Sequence, residues 1–192
     1  LYNKHSIYIG YFYHKQTKEK RLKNIILIGF MGVGKGTIAR ELLKHSKYIS
    51  IDTDDLIESM ENRKIKTIFE TDGEAYFREL EARVAHWLEK SVRDTLISTG
   101  GGFFKVKNLK KIGTVVLLDS PFDAILSRIQ EHPNATKKLK KRPLLQDLEK
   151  AKALYDQRRP LYLDIADIVI DVTNKTAEQS AQEILKKAKK YA

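Results

Sequence analysis

The stretch Asn24-Ile25-Ile26-Leu27-Ile28-Gly29-Phe30-Met31-Gly32-Val33-Gly34-Lys35-Gly36-Thr37-Ile38-Ala39 decides how the rest of the chain is read. Ile25–Ile28 is an uninterrupted apolar run of strand length, the pattern of a strand buried on both faces of a parallel sheet. Glycines follow at once, and Ile38, Ala39, Leu42 and Leu43 then recur at helical spacing. Strand, glycine-rich turn with a lysine, and helix, in that order, form the context of a phosphate-binding loop. Glycines let successive backbone N–H groups turn inward around phosphate oxygens, which side chains would obstruct. The start of the helix adds further donors and the positive end of its dipole. Gly32, Val33, Gly34, Lys35, Gly36 and Thr37 are therefore the expected contacts to a nucleotide polyphosphate. Lys35 supplies a point charge to the β- and γ-phosphates and is a catalytic candidate. The residue after the lysine is normally Ser or Thr, whose hydroxyl coordinates Mg²⁺. Here it is Gly36, with Thr37 next, so the loop's metal position is open between the two.

Further short apolar runs lie at Tyr48–Ile51, Thr95–Ser98, Thr114–Leu118 and Asp167–Val172, separated by helical patterns over roughly 56–61, 74–91, 121–131, 147–156 and 176–190. Strands alternating with helices predict an α/β fold in three layers, a five-stranded parallel sheet flanked by helices. Ser120-Pro121-Phe122-Asp123 reads as a capping serine before a proline at the first helical position, and Thr71-Asp72-Gly73-Glu74 as a capping box. Pro133–Pro143 is polar, basic and long for a connector, which suggests a functional loop. Residues 1–23 are basic and aromatic without clear periodicity and are read as an extension, with 24–192 as a single domain.

The 192 residues suit one domain with a sizeable core, and 42% hydrophobic with 32% charged residues is an ordinary globular balance. No apolar run approaches the ~18 residues that span a bilayer. The N-terminal segment lacks the apolar centre of a signal peptide. With no cysteine in the chain, disulfides and thiolate metal sites are excluded and a cytoplasmic protein is expected. The five histidines show no ligand spacing, so no zinc site is expected. Net charge is +11, concentrated near the N-terminus, in Lys137–Arg142 and in the C-terminal lysines. No nucleic-acid motif accompanies these clusters, which fit a solvated surface attracting small anionic substrates.

Asp52-Thr53-Asp54 ends the second strand run. Two carboxylates at i and i+2 on an extended segment point the same way, and at the carboxyl edge of a parallel sheet they face the ligand crevice. One can organise Mg²⁺ and its waters while the other accepts a proton from an attacking hydroxyl.

With these motifs in hand the chain resembles the shikimate kinases. The resemblance rests on Phe30-Met31-Gly32-x-Gly34-Lys35, Asp52-Thr53-Asp54-x-x-Ile57, Gly73-Glu74-x-x-Phe77-Arg78-x-x-Glu81, Ser98-Thr99-Gly100-Gly101-Gly102, Arg142-Pro143-Leu144-Leu145 and Arg158-x-Pro160-Leu161-Tyr162-x-x-x-Ala166. They fall in family order and spacing from about Asn24 to Val172. Only the Gly36-Thr37 pair departs, and it looks like the loop of adenylate kinases.

The resemblance implies a nucleoside-monophosphate-kinase type of fold. Its acceptor-binding segment would cover about 56–82 and its lid about 130–145. It implies ATP-dependent phosphorylation of the shikimate 3-hydroxyl, with Mg²⁺ as cofactor, ATP/ADP and shikimate as the only partners, no nucleic acid or membrane, and a monomer. The position matching Asp54 holds substrate hydroxyls and is the base; Asp52 binds magnesium-linked water. Arg78 and Arg158 grip the carboxylate, Gly100, Gly101 and Gly102 pack against substrate, Arg128 stacks near adenine, and Arg142 is the catalytic lid arginine. Taken alone, Arg78 also has a lesser reading as an exposed helix residue and Arg158 and Arg159 as a surface pair, while Phe69 and Phe77 read at least as well as core as they do as acceptor-site residues. The rivals are a gluconate or nucleotide kinase of the same fold and a non-catalytic nucleotide-binding module.

Overall fold

The computed structural model describes residues 23–131 and 143–190. The N-terminal extension up to residue 22, most of the expected lid and Arg142 lie outside the described residues. The strands are β1 (Asn24–Ile28), β2 (Ile49–Asp52), β3 (Thr95–Ser98), β4 (Gly113–Asp119) and β5 (Ile168–Asp171). They form one sheet in the order β2-β3-β1-β4-β5, and every neighbouring pair is parallel. β1 is central and wholly buried, as its unbroken apolar run requires, whereas β5 at one edge alternates buried and exposed residues.

The flanking helices are α1 (Lys35–Lys44), α2 (Thr53–Glu61), α3 (Ile65–Thr71), α4 (Gly73–Ser91), α5 (Leu109–Ile112), α6 (Phe122–Gln130), α7 (Leu148–Ile165) and α8 (Ala177–Ala188). α1 packs on α8 and on β1 and β3, while α5 and α7 pack on β4. Strand order turns around β1, so the loops leaving β1 and β3 open a crevice at the carboxyl edge of the sheet, where α/β folds bind ligands.

Several local expectations need correction. Helix α2 begins at Thr53, not at 56, because the Asp52 side chain caps it: Oδ1 accepts from the N–H groups of Asp54 (2.9 Å) and Asp55 (3.5 Å). Neither predicted hydroxyl cap forms. Ser120 Oγ lies 3.3 Å from Thr173 Oγ1, and α6 starts without a side-chain cap. Thr71 sits in the last turn of α3, its hydroxyl within 2.9 Å of Thr67 O and 2.6 Å of Asp72 Oδ2, the two acceptors open to its one hydrogen. A capping box does form at Thr176 and Gln179, ahead of α8. α7 runs well past residue 156, with Pro160 inside it. The proline removes one backbone donor, and anchors described below hold the helix on either side of it. No described helix is long and apolar enough to cross a membrane.

Candidate active site

The glycine loop between β1 and α1 lines a cavity of about 920 Å³, together with Asp52, Asp54, Gly100 and Arg128. Gly34 precedes α1 with φ +108°, a left-handed conformation that only glycine adopts without strain. No side chain caps α1 and its first turn carries no acid, so the helix start presents its N–H groups without a competing carboxylate. A Cβ on Gly32 would meet Ile129 Cδ1 at 2.5 Å, which fixes this position as glycine on packing grounds too. Lys35 Nζ donates to Gly29 O (2.7 Å) and Phe30 O (3.2 Å), so its charge is held across the mouth of the loop.

Opposite the loop, β3 runs into Thr99 and three glycines. Thr99 ties this turn to β1, with its N–H (3.3 Å) and its hydroxyl (2.9 Å) both donating to Leu27 O. Buried Thr53 Oγ1 accepts from Gly100 N at 3.1 Å and ties it to the start of α2. Each glycine then backs onto a different charged side chain. A Cβ on Gly100 would fall within van der Waals overlap of Asp54 Oδ1, and one on Gly102 within overlap of Arg78 Nη1. At Gly101 the nearest atom would be Arg158 Nη1, at 3.3 Å. The resemblance implied that these glycines pack against substrate. In the fold their missing side chains make room for three residues scattered along the chain.

Those residues are not at electrostatic rest. Asp54 Oδ1 is enclosed and has no hydrogen-bond partner among the described residues. Burial, followed by the nearby Asp52 charge, raises the Asp54 carboxyl to about 7, against a smaller opposing pull from Lys35. The i, i+2 strand geometry expected for Asp52 and Asp54 does not occur. Asp52 closes β2 and caps α2, while Asp54 stands in the first helical turn, and both still reach the cavity.

Arg78 projects from α4 and is held by two glutamates: Nη1 to Glu81 at 2.5 Å, and Nε and Nη2 to Glu74 at 3.1 and 2.7 Å. It is therefore not a free surface arginine. Glu81 is 1% exposed; burial raises its carboxyl although Arg78 opposes the shift, and its Oε1 has no partner among the described residues. The expected arginine pair splits in two. Arg159 makes a two-pronged pair with Asp119 (3.0 and 2.7 Å), whereas Arg158 turns to Gly101 O (3.0 Å) and leaves its buried Nε without a partner among the described residues. Tyr162, one turn on, donates to the same carbonyl at 2.6 Å. These two bonds pin α7 around Pro160.

Arg128 reaches Val33 O (3.0 Å), Val172 O (2.6 Å) and Thr173 O (3.0 Å), clasping the phosphate loop to the end of β5. Phe77 is buried and stacks on half-exposed Phe69 at 4.8 Å between ring centres, so Phe77 serves the core. Sequence reasoning quoted Thr53, Glu81 and Tyr162 within its motifs but gave them no role. Two of them left a signal. Glu81 falls on the apolar stripe Phe77, Leu80, Val84, Leu88, where an unpaired carboxylate would be costly. Tyr162 lies one helical turn from Arg158.

A glycine loop between the first strand and helix of an all-parallel sheet, with an acidic pair facing it across the crevice, defines a P-loop phosphotransferase. The shikimate kinase family model matches residues 31–189. A shikimate kinase of Helicobacter hepaticus is 37% identical over 166 residues, covering 86% of this chain and 93% of that protein. One of Lactococcus lactis subsp. cremoris is 41% identical over 170 residues, covering 85% and 97%. Among solved structures, the shikimate kinase of Acinetobacter baumannii in complex with shikimate superposes with a TM-score of 0.76 at 34% identity, covering 88% of this chain and 94% of that one. The chain belongs to the shikimate kinase family.

Proposed function

We propose that the chain transfers the γ-phosphoryl group of ATP to the 3-hydroxyl of shikimate, giving shikimate 3-phosphate and ADP. One observation carries the division of labour: three successive glycines back onto Asp54, Arg158 and Arg78 at the edge of the cavity lined by the phosphate loop. A base and two guanidinium groups thus converge beside a phosphate cradle. The loop N–H groups from Gly32 to Thr37 and Lys35 hold the β- and γ-phosphates. Arg78 and Arg158 take the ring carboxylate, for which a planar guanidinium is better matched than an ammonium. The unpartnered Arg158 Nε and Asp54 Oδ1 supply the donor and acceptor that a carboxylated, hydroxylated ring would satisfy.

Asp54 takes the proton of the 3-hydroxyl as that oxygen attacks the γ-phosphorus. The bond from phosphorus to the bridging oxygen of ADP breaks in the same displacement. Positioning and electrostatics do most of this work. Asp52 keeps Oδ2 clear of its capping bonds, and with Asp54 it provides the hard oxygen donors that suit Mg²⁺, directly or through water. Gly36 offers no oxygen, and Thr37 is the remaining loop hydroxyl. When bound, Mg²⁺ neutralises charge on the β- and γ-oxygens. On this reading Arg128 is assigned to the adenine, Arg142, which lies outside the described residues, to the catalytic lid, and α2, α3 and the start of α4 to the acceptor-binding segment. A cytoplasmic site of action fits a cysteine-free chain that consumes ATP.

The deciding experiment follows ADP release with shikimate, gluconate or nucleoside monophosphates as acceptor. Turnover with shikimate alone is expected. Equal or faster turnover with gluconate, or no shikimate-dependent ADP from well-folded protein with Mg²⁺, would overturn the reading.

A further inference from the structure

Among the described residues, four cationic side chains line the phosphate cavity: Lys35, Arg40, Arg128 and Lys175. Three are tied down, Lys35 to Gly29 O, Arg128 to Val33 O and Lys175 to Glu183. Arg40 makes no hydrogen bond or ion pair to any described residue. It stands on α1 one turn beyond Gly36, so the two share a helix face. The guanidinium lies over the position where Gly36 has no side chain: a Cβ there would be 3.8 Å from Arg40 Nη1. That position is where a phosphate loop ordinarily presents its hydroxyl.

We infer that Arg40 is a phosphate-binding residue of this loop, taking an oxygen of the nucleotide polyphosphate beside Gly36 and adding a second cation to Lys35. This inference rests on the phosphate-loop reading above and deepens it. A guanidinium is charged at every working pH and can donate two parallel hydrogen bonds to a phosphate. A Cβ at Gly36 would stand at ordinary contact distance from the guanidinium, so the two positions are neighbours on this face of the helix. A fixed cation at this place also shares the polyphosphate with the divalent ion, so nucleotide binding depends less steeply on Mg²⁺ than Lys35 alone would allow.

The test is calorimetric titration of the full chain with ADP, in Mg²⁺ and in EDTA. Arg40→Gln is expected to weaken ADP binding in EDTA about 10-fold, the effect of one charge-assisted contact. The loss in Mg²⁺ is expected to be smaller. Arg40→Lys keeps the charge but not the fork and recovers part of the affinity. Shikimate binding, followed separately, is expected to be unchanged, which a merely structural role for Arg40 would not predict. If Arg40→Gln lowers the melting temperature, Arg40→Met, which keeps the aliphatic stem, carries the same titration. ADP affinity in EDTA equal to that of the parent in folded Gln or Met variants would overturn the inference. Failure of the parent chain to phosphorylate shikimate would instead overturn the functional reading and leave the ADP titration standing.

Discussion

At the amino end of the sheet, Asn24 is buried and every polar atom of its side chain is used. Nδ2 donates to Val92 O and Ile112 O, both at 2.9 Å, and Oδ1 accepts from Thr95 N at 3.0 Å. At the carboxyl end, Asp54 Oδ1, Glu81 Oε1 and Arg158 Nε are enclosed and unpartnered among the described residues. Both sets are buried polar groups held within the same fold. At the amino end the groups satisfy one another and fasten the starts of three strands. At the carboxyl end these donors and acceptors stay unmatched among the described residues, at a cost in stability; on the proposed function, substrate completes those of Asp54 and Arg158.

The largest effect expected from breaking this contrast is at Asp54. Asp54→Asn is expected to lower kcat by about 10²–10⁴-fold, the range for loss of a general base, while ADP affinity changes little. Equal loss of nucleotide binding in a calorimetric titration would assign Asp54 to the phosphates instead. At the opposite end, Asn24→Ala is expected to cost about 2–4 kcal/mol in urea unfolding, because it strands two carbonyls and an N–H. The KM for shikimate of the folded variant stays near that of the parent. A comparable loss of substrate affinity would mean that the two ends are not separable.

The titration of Asp54 sharpens the same comparison. Its carboxyl is raised from the ordinary 3.8 to about 7, so the native state holds a proton that the unfolded chain has already released. Stability from this group is therefore greatest below about pH 4, falls as pH rises, and is lost above 7. On the proposed role of Asp54 as base, activity runs the other way, since the base must be ionised: kcat/KM for shikimate is expected to rise through about pH 7. Asp54→Asn should flatten the decline of melting temperature between pH 4 and 7. An unchanged decline would place the titrating group elsewhere.

The smallest expected effect is at Gly36. Its nearest neighbour leaves room for a side chain, since an added Cβ would stand at ordinary contact distance from Arg40. Gly36→Ser is expected to tighten Mg·ADP binding a few-fold by restoring a hydroxyl ligand. An unchanged Mg²⁺ dependence of ADP affinity would show that the loop does not lack one.

Much of the fold was legible because its signals are local. The apolar run of β1, the glycine turn and the helical recurrence of α1 lie in one short segment, and the long helix α4 begins and ends within a residue of its predicted span. α3 was missed because Ile65–Thr71 is short and rich in β-branched residues, so neither period nor propensity marks it. The end of α7 was missed because a proline argues locally against continuation, whereas Arg158 and Tyr162 hold that segment through Gly101 O.

By itself the sequence determined the phosphate loop, the alternation that makes a parallel sheet, and Asp52 and Asp54 as an acidic pair, while Arg78, Arg158 and the three glycines stood out through the family resemblance. It could do so because glycine content, apolar period and motif spacing are properties of neighbours along the chain. The tertiary structure alone decided that Gly100, Gly101 and Gly102 each make room for one of those side chains. It also decided that Arg158 faces the site while Arg159 pairs with Asp119, that Glu81 is buried beneath Arg78, and that Arg40 lies over Gly36. These relations depend on which atoms are left without water or a partner once the sheet has closed, and burial of that kind is a property of packing rather than of sequence order.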